Sequence, residues 1–270
     1  MDTGNLKEFA KQIRRDIIEM IATAASGHPG GSLSAVEILT AVYLTQMRVD
    51  PKNPQDPDRD RFIMSKGHAS PCYYAVLGEM GFFSRDEFKS FRQLHAILQG
   101  HPDAKKVPGV DASTGSLGQG ISIATGMALG AKCSKKDIKV YAVLGDGELQ
   151  EGQAWEACTA ACHFGLDNLT VIIDNNGLQI DGTNDEVMSL GDLNKRFSAL
   201  GMKVIEVSDG NDIEQVVAAL EKPVNRGFPK CIIAHTVKGK GVSFMENQVG
   251  WHGKAPTANE RDAALKELEG

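Results

Sequence analysis

Between residues 140 and 234 the chain carries four short apolar runs, at 140–144, 169–173, 202–207 and 231–234, continuous rather than alternating. A strand with one wet face alternates apolar and polar residues, whereas a continuous run is expected where helices cover both faces of a sheet. Helical stretches near 153–163, 190–200 and 213–220 lie between the runs. This alternation predicts an α/β fold with an open, mostly parallel sheet and helices on both faces. Ligands of such sheets sit beyond the carboxyl ends of the strands. The residues just after each run are therefore the first candidates for a site.

Upstream, Leu6, Phe9, Ile13, Ile17 and Met20 recur every three or four residues, with Lys7, Lys11, Arg14 and Arg15 on other faces, the pattern of an amphipathic helix. That helix is expected to stop before Ser26-Gly27-His28-Pro29-Gly30-Gly31, where glycines and a proline oppose continuation. Ser34 with Glu37, Ser84 with Glu87 and Asn211 with Glu214 have the spacing of helix-starting capping boxes. The stretches 51–60, rich in Pro and Asp, and 238–254, rich in Gly and Lys, are the candidate breaks. Neither separates two self-sufficient halves, so residues 1–270 read as one domain.

Several function classes are excluded by composition. With 29 basic and 35 acidic residues the formal charge is −6, against the basic excess that general nucleic-acid binding needs. No apolar run approaches the roughly 18 residues needed to span a bilayer. The polar N-terminus lacks a signal-peptide core. Five scattered cysteines, at 72, 133, 158, 162 and 231, do not suggest a disulfide framework. A cytoplasmic globular chain with neither nucleic acid nor membrane as partner is expected.

The first run leads into Gly145-Asp146-Gly147 and the second into Asp174-Asn175-Asn176, with residues 148–174 between Gly147 and the asparagines. Neighbouring strands would bring the Asp146 carboxylate and an amide oxygen, that of Asn176, to one edge. Hard oxygen ligands beside glycines that allow close backbone approach suit Mg²⁺ bound through a diphosphate, with the Leu178 carbonyl as a further ligand. The competing explanation is a strand-to-helix turn in which Asp146 is a cap.

Of seven histidines, His28, His68, His101 and His252 stand beside glycine or proline in loops that can present a side chain to a ligand. His95, His163 and His235 lack such company and read as structural or exposed. No His or Cys cluster has transition-metal spacing, and Cys158 and Cys162, one helical turn apart, read as core.

Gly145-Asp146-Gly147 with the downstream asparagine pair resembles the thiamine-diphosphate motif. In order along the chain, Ser26-Gly27-His28-Pro29-Gly30, Ser65-Lys66-Gly67-His68-Ala69-Ser70, Gly100-His101-Pro102, Thr114-Gly115-Ser116-Leu117-Gly118-Gln119-Gly120 and Trp251-His252-Gly253-Lys254 resemble transketolases. The resemblance runs from about residue 8 to 256 and covers the family's N-terminal, diphosphate-binding domain. It implies a thiamine-diphosphate-binding fold, with thiamine diphosphate and Mg²⁺ as cofactors. The implied reaction transfers a two-carbon ketol unit from a ketose or ketose phosphate to an aldose or its phosphate. His28 and His101 would hydrogen-bond the donor sugar, His68 the diphosphate, and His252 both. Gly115, Ser116 and Leu117 would line the thiamine rings, and Gly147 and Lys238 would meet the diphosphate. Glu151 matches the family glutamate near the cofactor and the inter-subunit contact. For Lys238 a solvated turn, and for Glu151 an acid in the first turn of a helix, compete with those roles. Some relatives carry Ser or Ala-Pro where this chain has Gly30-Gly31, with Ser32 as the candidate substitute for a side-chain contact.

The family's pyrimidine-binding and C-terminal domains are not expected in this chain, so a separate C-terminal transketolase subunit should complete an α₂β₂ enzyme. Competing functions are a 1-deoxyxylulose-5-phosphate synthase-like or dihydroxyacetone synthase-like subunit, an oxo-acid dehydrogenase component, or a non-catalytic cofactor-binding subunit. His28 and His101 favour ketol transfer over decarboxylation. The 115–120 glycines are in the wrong order for a nicotinamide fingerprint.

Overall fold

The four apolar runs are strands, and a shorter one precedes them. A computed structural model describes residues 2–269. In chain order the elements are α1 (Thr3–Ala24), α2 (Pro29–Ser34), α3 (Val36–Ala41), β1 (Arg61–Met64), α4 (Ser70–Glu79) and α5 (Gln119–Cys133). There follow β2 (Val140–Gly145), α6 (Gly152–His163), β3 (Leu169–Asn175), α7 (Asn184–Met188) and α8 (Leu193–Leu200). The chain closes with β4 (Lys203–Val207), α9 (Ile213–Glu221), β5 (Lys230–His235) and α10 (Ala258–Glu267). The strands form one sheet in the order β1-β2-β3-β5-β4, and every pairing is parallel.

Alternation along the strands splits the core into two layers. Phe62, Met64, Tyr141, Val143, Ile172 and Ile232 pack with α1, α3, α4 and α9 on one face. Ile63, Ala142, Leu144, Val171, Ile173 and Ile233 pack with α5, α6 and α8 on the other. The central runs are continuous because both faces are dry. β4 departs from that expectation: it starts at Lys203, and its burial alternates, with Lys203 and Glu206 exposed. It is an edge strand, where polar side chains remain in water. Among the described residues no helix is long and apolar enough to cross a membrane.

α1 begins where the Asp2 carboxylate accepts from the Asn5 N–H and ends at Ala25, whose φ of 48° turns the chain before Ser26. The expected capping boxes do not form as such. Ser34 closes α2, and its hydroxyl donates to Asp174 Oδ2 at 2.5 Å, with Gly31 O 3.2 Å away. Glu37 instead accepts from both terminal nitrogens of Arg14, Nη1 and Nη2, at 2.6 and 2.7 Å. At α9 the cap is Asp212, not Asn211, whose amide donates to Glu37 Oε2 at 3.0 Å and accepts from the Val237 N–H at 2.8 Å. Ser84 does cap a short 3₁₀ turn over Arg85–Ser90, but by accepting from the Asp86 N–H. Complete boxes occur at Thr183 with Glu186 and at Thr257 with Glu260.

Arg14 also donates from Nε to Lys240 O at 3.0 Å, so one buried ion pair ties α1 and α3 to the loop after β5. Removing one charge from a buried pair leaves the other uncompensated, at roughly 3–5 kcal/mol. Glu37→Gln is expected to lower unfolding stability by about 3 kcal/mol, read as a reduced urea midpoint with unchanged slope.

Candidate active site

The parallel register sets Gly145 beside Asp174 and Asn175 beside His235. Asp146, Asn176 and the segment leading to Lys238 therefore leave the sheet along one edge. Asp174, fully buried at the end of β3, receives Ser34 Oγ, Lys66 Nζ and Thr236 Oγ1. Lys66, 1% exposed, also donates to Gly31 O at 2.8 Å. Buried charges require such pairing. Sequence reasoning missed both residues, because neither the spacing nor the local pattern of a lysine in a turn reveals a partner in a distant strand.

Above this pair opens a cavity of about 330 Å³. His28, His68 and His252 meet there, their ring centroids 5.4, 5.6 and 5.3 Å apart in the pairs 28–68, 28–252 and 68–252. Burial first, then neighbouring cations, hold all three imidazoles neutral: His28 is pushed down to about 4, His252 to about 3, and His68 well below the usual histidine range. His101 is lowered too, by burial and then by Arg92. Lys238, buried, donates to Leu178 O at 3.0 Å and to His252 Nδ1 at 2.9 Å, which leaves the His252 proton on Nε2. Burial and then Lys66 bring its ammonium down to about 8. Lys238 is thus a buried cleft residue, not a solvated turn.

Asp146 caps a 3₁₀ turn over Gly147–Gln150 and is held by the Gly147 and Gly177 N–H groups. The cap and ligand explanations of this residue are therefore compatible. Burial, reinforced by Asp174, raises its carboxyl to about 6. Asn176 Oδ1 accepts from the Leu178 N–H at 3.2 Å. Among the described residues no three His, Cys, Asp or Glu side chains converge as a metal cage. One carboxylate, one amide oxygen and one backbone carbonyl instead match Mg²⁺, which completes its octahedron with phosphate oxygens and water. The donor set therefore fits a Mg²⁺–diphosphate group.

His28, His68, Gly115, Leu117, Asp146, Gly147, Glu151, Asn176, Leu178, Lys238 and His252 all line the cavity. Ser116 and His101 lie outside that lining, although the His101 ring abuts Gly115, where a Cβ would come within 2.9 Å. Glu151 is exposed at the start of α6 and makes no side-chain cap bond. Ser32 does not substitute for a contact from the 28–31 loop: it is buried and donates to His28 O at 2.7 Å. Gly30 leaves room for Trp251 O and the Lys238 stem, which a Cβ would approach to 2.9 and 3.1 Å. Glu148 was also missed; its carboxylate accepts from Ser65 Oγ and from the Gly118 and Gly145 N–H groups, tying the 115–118 loop to β2.

A family model described as "Transketolase, thiamine diphosphate binding domain" matches residues 6–269. This chain belongs to the transketolase family. Its relatives within that family include the apulose-4-phosphate transketolase subunits A of Phocaeicola vulgatus, 41% identical over 99% of this chain and 95% of that one, and of Actinobacillus succinogenes, 43% identical over 98% and 96%. The 6-deoxy-6-sulfo-D-fructose transketolase subunit SqwG of a Clostridium species is 39% identical, over 98% and 96%. The solved Campylobacter jejuni transketolase superposes with a TM-score of 0.94 at 34% identity. That likeness covers 100% of this chain but only 43% of the Campylobacter one. The parallel α/β fold is thus the transketolase N-terminal fold, and its thiamine-diphosphate-binding character follows from the family match.

The neutral histidine cluster has a signature in stability. The unfolded chain takes up protons near pH 6.5 that folded His28 and His252 refuse until about pH 4 and pH 3, and His68 is lowered in the same sense, so these rings contribute stability that rises with pH across that window. Asp146 and Asp16, raised to about 6 and about 7, and Glu148, also raised, act in the opposite direction, so the histidine contribution is read as a difference between variants. Between pH 7 and pH 5 the urea midpoint of cofactor-free His68→Asn is expected to change in the stabilising direction relative to wild type, because the variant lacks one group whose unfolded form gains a proton there.

Proposed function

We propose that this chain is the cofactor-binding subunit of a split transketolase, moving a two-carbon ketol unit from a ketose to an aldose together with a separate C-terminal subunit. One observation carries the proposal: three neutral histidines and Lys238 converge beside the Asp146–Asn176–Leu178 edge in a single cleft. The relatives of nearly equal length support the split organisation, since their names designate them subunits. Those names cover one phosphorylated and one sulfonated ketose, and a sugar or sugar phosphate is the substrate class we assign here.

Thiamine diphosphate, when bound, supplies the reactive carbon and the electron sink that carbon–carbon cleavage requires. This chain's residues orient and exchange protons. Asp146, Asn176 and the Leu178 carbonyl would hold Mg²⁺; Lys238, His68 and His252 would bind the diphosphate. His28, His101 and His252 meet the sugar's oxygens, and a neutral imidazole can give or accept a proton at pH 7. Around the cleft mouth stand Leu117 and Ile180, and Met188 of α7 is tied to the lining residue Gln150, whose amide donates to Met188 O at 2.9 Å; Ile180 and Met188 are 65% and 62% exposed. A second subunit would cover this apolar rim beside Glu151, completing the ring end of the cofactor site. An α₂β₂ assembly and a cytoplasmic setting belong to the same proposal, in keeping with the free cysteines.

Mixed with its C-terminal partner, thiamine diphosphate and Mg²⁺, the chain is expected to transfer ketol units from a panel of ketose phosphates and sulfonated ketoses, and alone to transfer none. Robust transfer by the isolated chain, or CO₂ release from an oxo acid by the pair, would overturn the proposal. In the assembled complex, Asp146→Ala is expected to abolish Mg²⁺-dependent cofactor binding by calorimetry; unchanged binding would remove Asp146 from the metal site.

A further inference from the structure

Arg92 has no part in the function proposed above, yet its placement is costly. Its φ is 60°, a left-handed conformation that a residue with a side chain adopts at a cost of order 1 kcal/mol. Its N–H donates to Leu98 O at 2.8 Å, closing the turn that leads to Gly100 and His101. From there the guanidinium reaches across to the loop before α2. Nη1 donates to Ser26 Oγ at 2.8 Å, and Nη2 contacts His28 Nδ1 at 3.3 Å. Gly100 lies flat against the guanidinium, where a Cβ would come within 2.8 Å of Cζ. Nε is buried and has no partner. A strained backbone and an orphaned donor at one residue call for a compensating role.

We propose that Arg92 is a positioning residue for the donor-sugar end of the cleft, locking His28 as the tautomer that donates from Nε2 and fixing its spacing from the His101 turn. This rests on the ketol-transfer function proposed above. A guanidinium has five donors and no acceptor, so its bond to His28 Nδ1 requires a lone pair on that nitrogen. A neutral His28 must then carry its proton on Nε2. Nε2 lies on the Gly253 side, where a Cβ on that glycine would be 3.7 Å away. Protonating Nδ1 would set two donors, and two positive charges, against each other.

Of the other groups facing His28, His101 from the Arg92 loop and Lys238 from the segment after β5 also disfavour its protonation, while His68 from the turn after β1 and His252 from the segment after β5 pack against it as neutral rings. His28 therefore enters the reaction as a hydrogen-bond donor to a sugar oxygen. The Gly100 contact requires that Arg92, His28 and His101 move as one unit, so loss of the guanidinium affects the donor sugar and leaves the diphosphate end intact.

The test is ¹⁵N spectroscopy of the histidine rings in the full chain, with His28 assigned by its loss in His28→Gln. The wild-type ring is expected to show an Nε2–H, Nδ1-lone-pair pattern from pH 8 to pH 5. In Arg92→Met it should become a tautomer mixture that protonates at higher pH. Arg92→Lys, which keeps a charged donor, should retain more of the wild-type pattern.

In the complex with the partner subunit, Arg92→Met should lower kcat/KM for the ketose donor about 10- to 100-fold, the size of one charge-assisted hydrogen bond. Cofactor affinity and the acceptor KM should stay unchanged, and Arg92→Lys should recover part of the loss. Identical His28 spectra in wild type and Arg92→Met, or identical donor kinetics, would overturn the proposal. If Arg92→Met does not fold, the wild-type spectrum decides alone, because an Nδ1–H His28 contradicts the lock. Absence of ketol transfer in the wild-type complex would sink the function instead, with the spectra still deciding the tautomer.

Discussion

The carboxylate of Asp174 holds the site together. It lies at the end of the central strand β3 and accepts from three segments remote in sequence: Ser34 at the end of α2, Lys66 after β1 and Thr236 after β5. Each donor is within a few residues of a side chain that faces the cleft. His28 precedes Ser34, His68 follows Lys66, and Lys238 follows Thr236. Without that charge, the buried Lys66 ammonium would lose its partner, and three loops would lose their common anchor.

The same concentration of buried charge sets the electrostatics above it. Asp174 helps to raise the Asp146 carboxyl, while Lys66 and Lys238 help to lower the histidines. Burial thus favours the neutral histidines and works against the charges of Asp146 and Lys238. Perturbed groups of this kind collect where ligand charge will later balance them. A cation at the Asp146 edge and an anionic diphosphate beside Lys238 would each relieve part of that penalty. Two helical layers make this affordable, since their apolar faces dry both sides of the sheet and leave its carboxyl edge to carry the polar groups.

What was legible in the sequence was local or periodic. Continuous apolar runs determined a parallel sheet covered on both faces, and parallel pairing made the run ends the place for a site. Gly145-Asp146-Gly147 and the asparagine pair do leave the sheet together, because adjacent strands share a register of Gly145 with Asp174. The glycine-flanked histidines were legible for a similar reason: glycine and proline mark loops, and loops present side chains.

Partner choice was decided only in three dimensions. Ser34, Glu37 and Asn211 have capping spacing, yet their side chains turn to Asp174, Arg14 and Val237 because a buried polar group bonds to whatever donor or acceptor the fold brings near. Local spacing was satisfied where the box is exposed, at Thr183 and Thr257. Lys66, Glu148 and Arg92 gave no local signal, since each acts through a contact more than twenty residues away. The sequence by itself determined the sheet, its functional edge and the residues presented there. The tertiary structure alone decided which charges pair and which nitrogen of a histidine keeps its proton, because those depend on burial and on distances that only folding creates.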